Sequence, residues 1–129
     1  MTYYFSKIVV TVIALYTFYI LNPLLIEREY SQEVEEAYSW LGYGGMIDIY
    51  GPIPYFLTIG TIAALVGTYF YKNSARKLLL WMYGFHIVLT PMWGIYVSGP
   101  FDGLLSTLIN SGLLIVLVLS YTSLANRFE

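Results

Sequence analysis

The sequence predicts an all-α membrane protein: four transmembrane helices in an up-down-up-down antiparallel bundle, plus a short amphipathic helix in the outer loop. Three observations lead there. Four apolar stretches, 8–26, 52–71, 78–98 and 103–124, each approach the roughly 20 residues a helix needs to cross a hydrocarbon core about 30 Å thick. Only 11% of the 129 residues are charged and 58% are hydrophobic, too little polar surface to coat a globule when soluble domains carry roughly 25% charged residues. The charges also sort by position. Lys7, Lys72, Arg76, Lys77 and Arg127 lie at the start, in one mid-chain loop and at the end. Glu27, Glu29, Glu33, Glu35, Glu36, Asp48 and Asp102 fill the other gaps, and only Arg28 and Glu129 break the rule. Because basic residues near span ends are retained in the cytoplasm, both termini and the segment 72–77 are expected inside, and the acidic loop 27–51 outside. One domain, 1–129, holds everything.

The first span follows Lys7 as the apolar part of a signal peptide would, but no small-x-small cleavage site follows. It reads as an uncleaved signal anchor, bent at its outer end by Asn22-Pro23.

In the outer loop, Ser31 is positioned to cap a short helix whose first turns carry Glu33, Glu35 and Glu36, the sign favoured at a helix N-terminus. Val34, Ala37, Tyr38 and Leu41 share one face, and Gly42, Gly44 and Gly45 end the helix. Such a helix is expected along the outer membrane surface, with Tyr38 and Trp40 at headgroup level. Ile47, Ile49 and Ile53, with Pro52 and Pro54, lead back into the bilayer.

The second span carries two small-xxx-small pairs, Gly60 with Ala64 and Ala63 with Gly67. They form a candidate helix-packing interface. Packing inside the bundle is favoured over an outside partner, since short helices must first pack among themselves.

Ser74 is the expected cap of the third span, and Pro91 interrupts it. Proline removes a backbone donor and bends a helix, and Thr90 can bond the freed carbonyls. The bend is expected to open a candidate ligand cleft toward the outer leaflet, lined by Pro91, Met92, Trp93 and Tyr96 and roofed by the acidic loop. Asp102 is the expected cap of the fourth span.

Counting depth from the loops brings Tyr16, Thr61, His86 and Asn110 to one level, a candidate intramembrane polar layer. His86 is the single histidine. An ionisable group in a membrane suggests a proton relay, a ligand contact or an axial haem ligand. The favoured alternative is a neutral imidazole sharing hydrogen bonds with Asn110 and a tyrosine, because no Asp or Glu lies inside any span. One histidine excludes a bis-histidine haem within one chain.

Tyrosine occurs 14 times, mostly near span ends, as an aromatic interface belt requires; positions that follow depth disfavour a quinone, haem or sterol pocket. Glu29, Glu33 and Glu36 form a helical row that reads as a solvated face, without the spacing of a calcium loop. There is no cysteine, hence no disulfide or thiolate metal site. No phosphate loop, nucleotide fingerprint, zinc-protease pair or serine elbow appears. The net charge of −2 disfavours nucleic acid.

The turn at 97–102 with its proline, the break Asn110-Ser111-Gly112, and the ending Ser120-Tyr121-Thr122-Ser123 followed by Arg127-Phe128 resemble a group of small bacterial four-span membrane proteins, known mostly as hypothetical proteins. The resemblance covers 76–128, less than half of the chain. It implies a four-helix protein of the bacterial inner membrane, and implies no activity, substrate or site residue.

The expectation is thus a non-enzymatic accessory or interaction subunit, whose partners are the bilayer and another membrane protein or a second copy. The alternative is a small transporter or lipophilic-ligand carrier using a cleft near His86 and Trp93. An enzyme ranks last, because no nucleophile and base stand at readable spacing. No cofactor or metal is expected.

Overall fold

Long apolar runs interrupted by proline and glycine become long helices separated by short breaks. In the computed structural model, which describes residues 2–25, 31–48 and 50–128 without the side chains of 23–25, these are α1 (Thr2–Leu25), α2 (Gln32–Ser39), α3 (Pro52–Tyr69), α4 (Asn73–Leu89) and α5 (Pro100–Tyr121). Single 3-10 turns follow at Thr90–Met92 and Ala125–Arg127, and among the described residues there is no strand. Glu27, Arg28, Glu29, Tyr30, Ile49 and Glu129 lie outside the described residues.

Three helices are long and apolar enough to cross a membrane: α1 over Thr2–Asn22, α3, and α5. The helix α4, 17 residues long with Arg76 and Lys77 in its first turns, is shorter and more polar. Exposed threonines bond to the backbone one turn back. Thr17, Thr107 and Thr122 each donate to the carbonyl four residues back, Ile13, Gly103 and Val118 respectively, so no donor is left unsatisfied there.

The helices close a ring of contacts. The helix α3 packs along α4, α1 along α5 and α3, and α4 more sparingly on α5. Phe5, Val9 and Val12 from α1 meet Ala64 and Leu65 from α3, Leu79 from α4, and Ile109, Leu113, Val116 and Leu117 from α5. Large apolar side chains such as Ile59, Trp81, Val88 and Leu114 point outward and are exposed.

Several boundaries differ from the sequence reading. The helix α1 begins at Thr2 rather than 8 and continues through Pro23 to Leu25. Ser31 is the N-cap residue of α2, but its side chain makes no capping bond; its carbonyl accepts from Val34 and Glu35. Lys72 and Gly99, not Ser74 and Asp102, occupy the N-cap positions of α4 and α5. Pro100 takes the first helical position, where a missing N–H costs nothing, which moves the start of α5 back and places Asp102 in its first turn.

The largest correction concerns 78–98. Pro91 ends α4 rather than bending it: the helix stops at Leu89, Thr90–Met92 form a 3-10 turn, and 93–99 are non-helical. Proline supplies no donor, and Gly94 at φ +78° reverses the chain into the left-handed region.

Candidate functional site

At the end of the bundle away from the amino terminus, the loop after α2 docks on the segment after α4. Gly42 N donates to Ile95 O at 2.7 Å, and Ile95 N returns a bond to Tyr43 O at 3.1 Å. Met46 N and Ile47 N both donate to Met92 O, at 2.8 and 3.2 Å. Thr90 Oγ1 donates to His86 O at 2.7 Å in the last turn of α4, and the loop donors meet the carbonyls that follow Pro91, those of Met92 and Ile95. Glycine makes this clasp feasible. A Cβ on Gly94 would lie 2.5 Å from Gly45 N and 2.6 Å from Tyr43 O, and one on Gly45 would lie 2.6 Å from Trp93 O.

Of the expected cleft residues, Pro91 and Tyr96 are exposed, whereas Met92 and Trp93 are half-buried beneath the clasp. Trp93 Nε1 is buried without a hydrogen-bond partner. Tyr96 turns to α1, its hydroxyl 3.2 Å from that of Tyr19. The backbone of Met92 and Ile95 thus forms the joint with the loop after α2, while the side chain of Tyr96 leaves it for α1.

Beside this joint lies a buried polar pair. Asn22, 2% exposed, donates from Nδ2 to Asp102 Oδ1 at 2.9 Å. Its own Oδ1 is buried with no hydrogen-bond partner. Sequence reading treated the two residues separately, as part of a proline bend and as a cap. The signal present was their depth: each is the polar residue nearest the outer end of its apolar run, on helices that prove to be packing neighbours.

The intramembrane layer divides. Tyr16 points its hydroxyl toward the side chains of Thr58 and Thr61, and Thr61 is buried, so α1 and α3 do share a polar contact. Asn110 is half-buried on α5. His86 follows Ala75, Leu79 and Met82 at helical spacing, and those three are buried, yet His86 itself is exposed. The expected dry packing of His86 against Asn110 is therefore not what the fold provides. The stripe faces α3, with Ala75 against Gly67 and Met82 against Gly60, and neither α3 nor the sparing contact with α5 covers its end at His86.

The small-residue positions are taken up inside the bundle. Ala64 is buried, and a Cβ on Gly60 or Gly67 would stand 2.7 Å from Met82 Sδ or 2.5 Å from Ala75 Cβ. These three let α4 approach α3, while Ala63 is exposed. At the end of the bundle that holds the amino terminus, Arg76 donates from Nε to Asn73 Oδ1 at 2.8 Å and from Nη1 to Ser120 O at 2.9 Å and Ala125 O at 3.3 Å. Its guanidinium lies over the rings of Tyr121 and Phe128, so a cation meets the carbonyl end of α5 as the helix dipole favours.

Of the acidic row, Glu33 and Glu36 are exposed, and Glu29 lies outside the described residues. No protein-family model matches the chain, and neither a curated protein nor a solved structure does.

Proposed function

We propose that the protein is a small non-enzymatic accessory or interaction subunit of a membrane complex or homo-oligomer. In this reading α1, α3, α4 and α5 all cross the bacterial inner membrane in an up-down-up-down order. Both termini lie in the cytoplasm, and α2 with its acidic loop lies outside. The observation that supports it is the exposure of His86. Ionisable side chains within a bilayer almost always face a bundle interior or a polar partner, and the chain's own bundle leaves this one uncovered. A neighbouring helix, from another protein or a second copy, is the natural cover.

A second reading uses the same residue differently. Because His86 continues the inward stripe of α4, the uncovered end could hold a lipophilic ligand between α4 and α5, making the protein a carrier. Native pull-down from its own membranes in mild detergent, with mass spectrometry of proteins and lipids together, separates the two. A stoichiometric protein partner or self-association that His86→Leu abolishes supports the subunit. A lone monomer overturns it, and a defined small molecule lost in His86→Ala then supports the carrier. Since the chain has no cysteine, single replacements report the topology directly. Ser39→Cys should react with an impermeant thiol reagent on intact cells, and Ser74→Cys should not.

A further inference from the structure

We propose that the groove between α1 and α5 is a binding site for one anionic glycerophospholipid of the inner leaflet, its phosphate at Lys7 and one acyl chain running toward Leu15. The inference rests on the bilayer-spanning reading, with Lys7 at the cytoplasmic face. The groove encloses about 290 Å³ and is lined on α1 by Tyr4, Lys7, Thr11 and Leu15, and on α5 by Leu108 and Gly112. The α1 residues recur at helical spacing and form one stripe. From Tyr4 to Leu15 the stripe runs about 16 Å at 1.5 Å per residue, close to one leaflet of a hydrocarbon core about 30 Å thick. Gly112 makes the notch. It carries no side chain, and a Cβ there would meet Val12 Cγ2 at 2.5 Å, so α1 and α5 close tightly at the back of the groove with Val12 as part of its lining.

Charge complementarity selects the occupant. Lys7 is the one charged residue lining the groove, at the end nearest the amino terminus. Its ammonium lies 4.3 Å from the centre of the Tyr3 ring, which holds the cation beside the mouth. The flanking Tyr4 is exposed and able to donate to a headgroup oxygen. Deeper in, Leu15 and Leu108 with the methyl of Thr11 leave an apolar trough. One cation above one apolar trough fits a phosphodiester with a hydrocarbon tail; a zwitterionic headgroup gains less from it, and a soluble phosphate leaves the trough empty.

The test is native mass spectrometry of the full chain released from nanodiscs of phosphatidylglycerol and phosphatidylethanolamine in equal parts. One phosphatidylglycerol should be retained preferentially. Lys7→Ala should lower that preference about fivefold, the effect expected of one basic residue at an anionic membrane surface. Lys77→Ala, which removes another basic residue from the same end, should leave it unchanged. Thr11→Phe should fill the trough and lower retention with Lys7 intact. Equal retention of both lipids, or equal loss in the Lys7 and Lys77 variants, would overturn the site while leaving the bilayer reading in place. Failure of the protein to enter nanodiscs would remove both. Capture of glycerol phosphate without an acyl chain would assign a free phosphate site and overturn the lipid.

Discussion

Asn22 Nδ2 donates to Asp102 Oδ1 at 2.9 Å and ties the outer part of α1 to the first turn of α5. The amide is almost fully buried, and Asp102 belongs to the same turn that Pro100 starts. Hydrogen bonds to a carboxylate contribute about 1.5–3 kcal/mol, although pairs inside membranes measure nearer 0.6 on average. Asn22→Ala should therefore destabilise by about 1–2 kcal/mol. Asn22→Asp should cost more, since it sets a second carboxyl group against Asp102. Unfolding in mixed micelles, followed by circular dichroism against added denaturing detergent, gives the order. An Asn22→Asp variant as stable as the parent would show that the pair is not closed in solution.

The glycine clasp predicts a graded series. Gly94→Ala meets three backbone atoms within 2.7 Å in addition to its positive φ, and Gly45→Ala meets the Trp93 carbonyl. Either should detach the loop from 92–95. Gly44→Ala has positive φ but nothing within 4 Å, so it should cost only about 1 kcal/mol of backbone strain. Hydrogen exchange at the amides of Gly42, Met46 and Ile95 reads this. Large loss of protection in Gly94→Ala and Gly45→Ala, with little in Gly44→Ala, is the expected outcome.

Much of this was legible beforehand, and the failures have a common cause. The start of α3 follows from Pro52 at the first helical position, whereas Pro100 plays the same part in α5 and was passed over in favour of Asp102 as a cap. The inward use of Gly60, Ala64 and Gly67 follows from their spacing. Pro91 was ambiguous because the same residue can bend a helix or end it, and the non-helical segment after it is held by Gly42, Met46 and Ile47, some 50 residues away, whose reach no local pattern reveals. His86 failed similarly: its place on the α4 stripe was readable, but whether α5 covers that stripe is decided by helix packing. Asn22 and Asp102 were each visible, and only the pairing of α1 with α5 joins them.

At the inner end, Arg76 combines three donor contacts with two aromatic faces. Arg76→Lys keeps the charge that orients the chain but loses the planar fork and the stacking. The insertion topology should be unchanged, while the segment 122–128 loosens. Phe128→Ala should act in the same direction, since its ring also meets Phe5 and Tyr71. Carboxypeptidase digestion of the micellar protein should shorten both variants faster than the parent, and equal rates would remove Arg76 as the anchor.

The packing of α3 on α4 can be tested with two alanines that sequence alone would treat as equivalent. A methyl group on Gly67 meets Ala75 Cβ at 2.5 Å, an atom fixed to the α4 backbone, so the helices must separate. A methyl group on Gly60 meets Met82 Sδ at 2.7 Å, the mobile part of a flexible side chain that can rotate away. Overpacking that moves backbone costs typically 1–3 kcal/mol. Gly67→Ala should accordingly lose about 2 kcal/mol in micelles, and Gly60→Ala less than half of that. A paired Gly67→Ala, Ala75→Gly variant should recover most of the loss, because it returns the missing space to the same contact. Recovery by Ala75→Gly would locate the strain between these two helices. Its absence, together with loss of a co-purifying partner in Gly67→Ala alone, would place Gly67 on an outward interface instead.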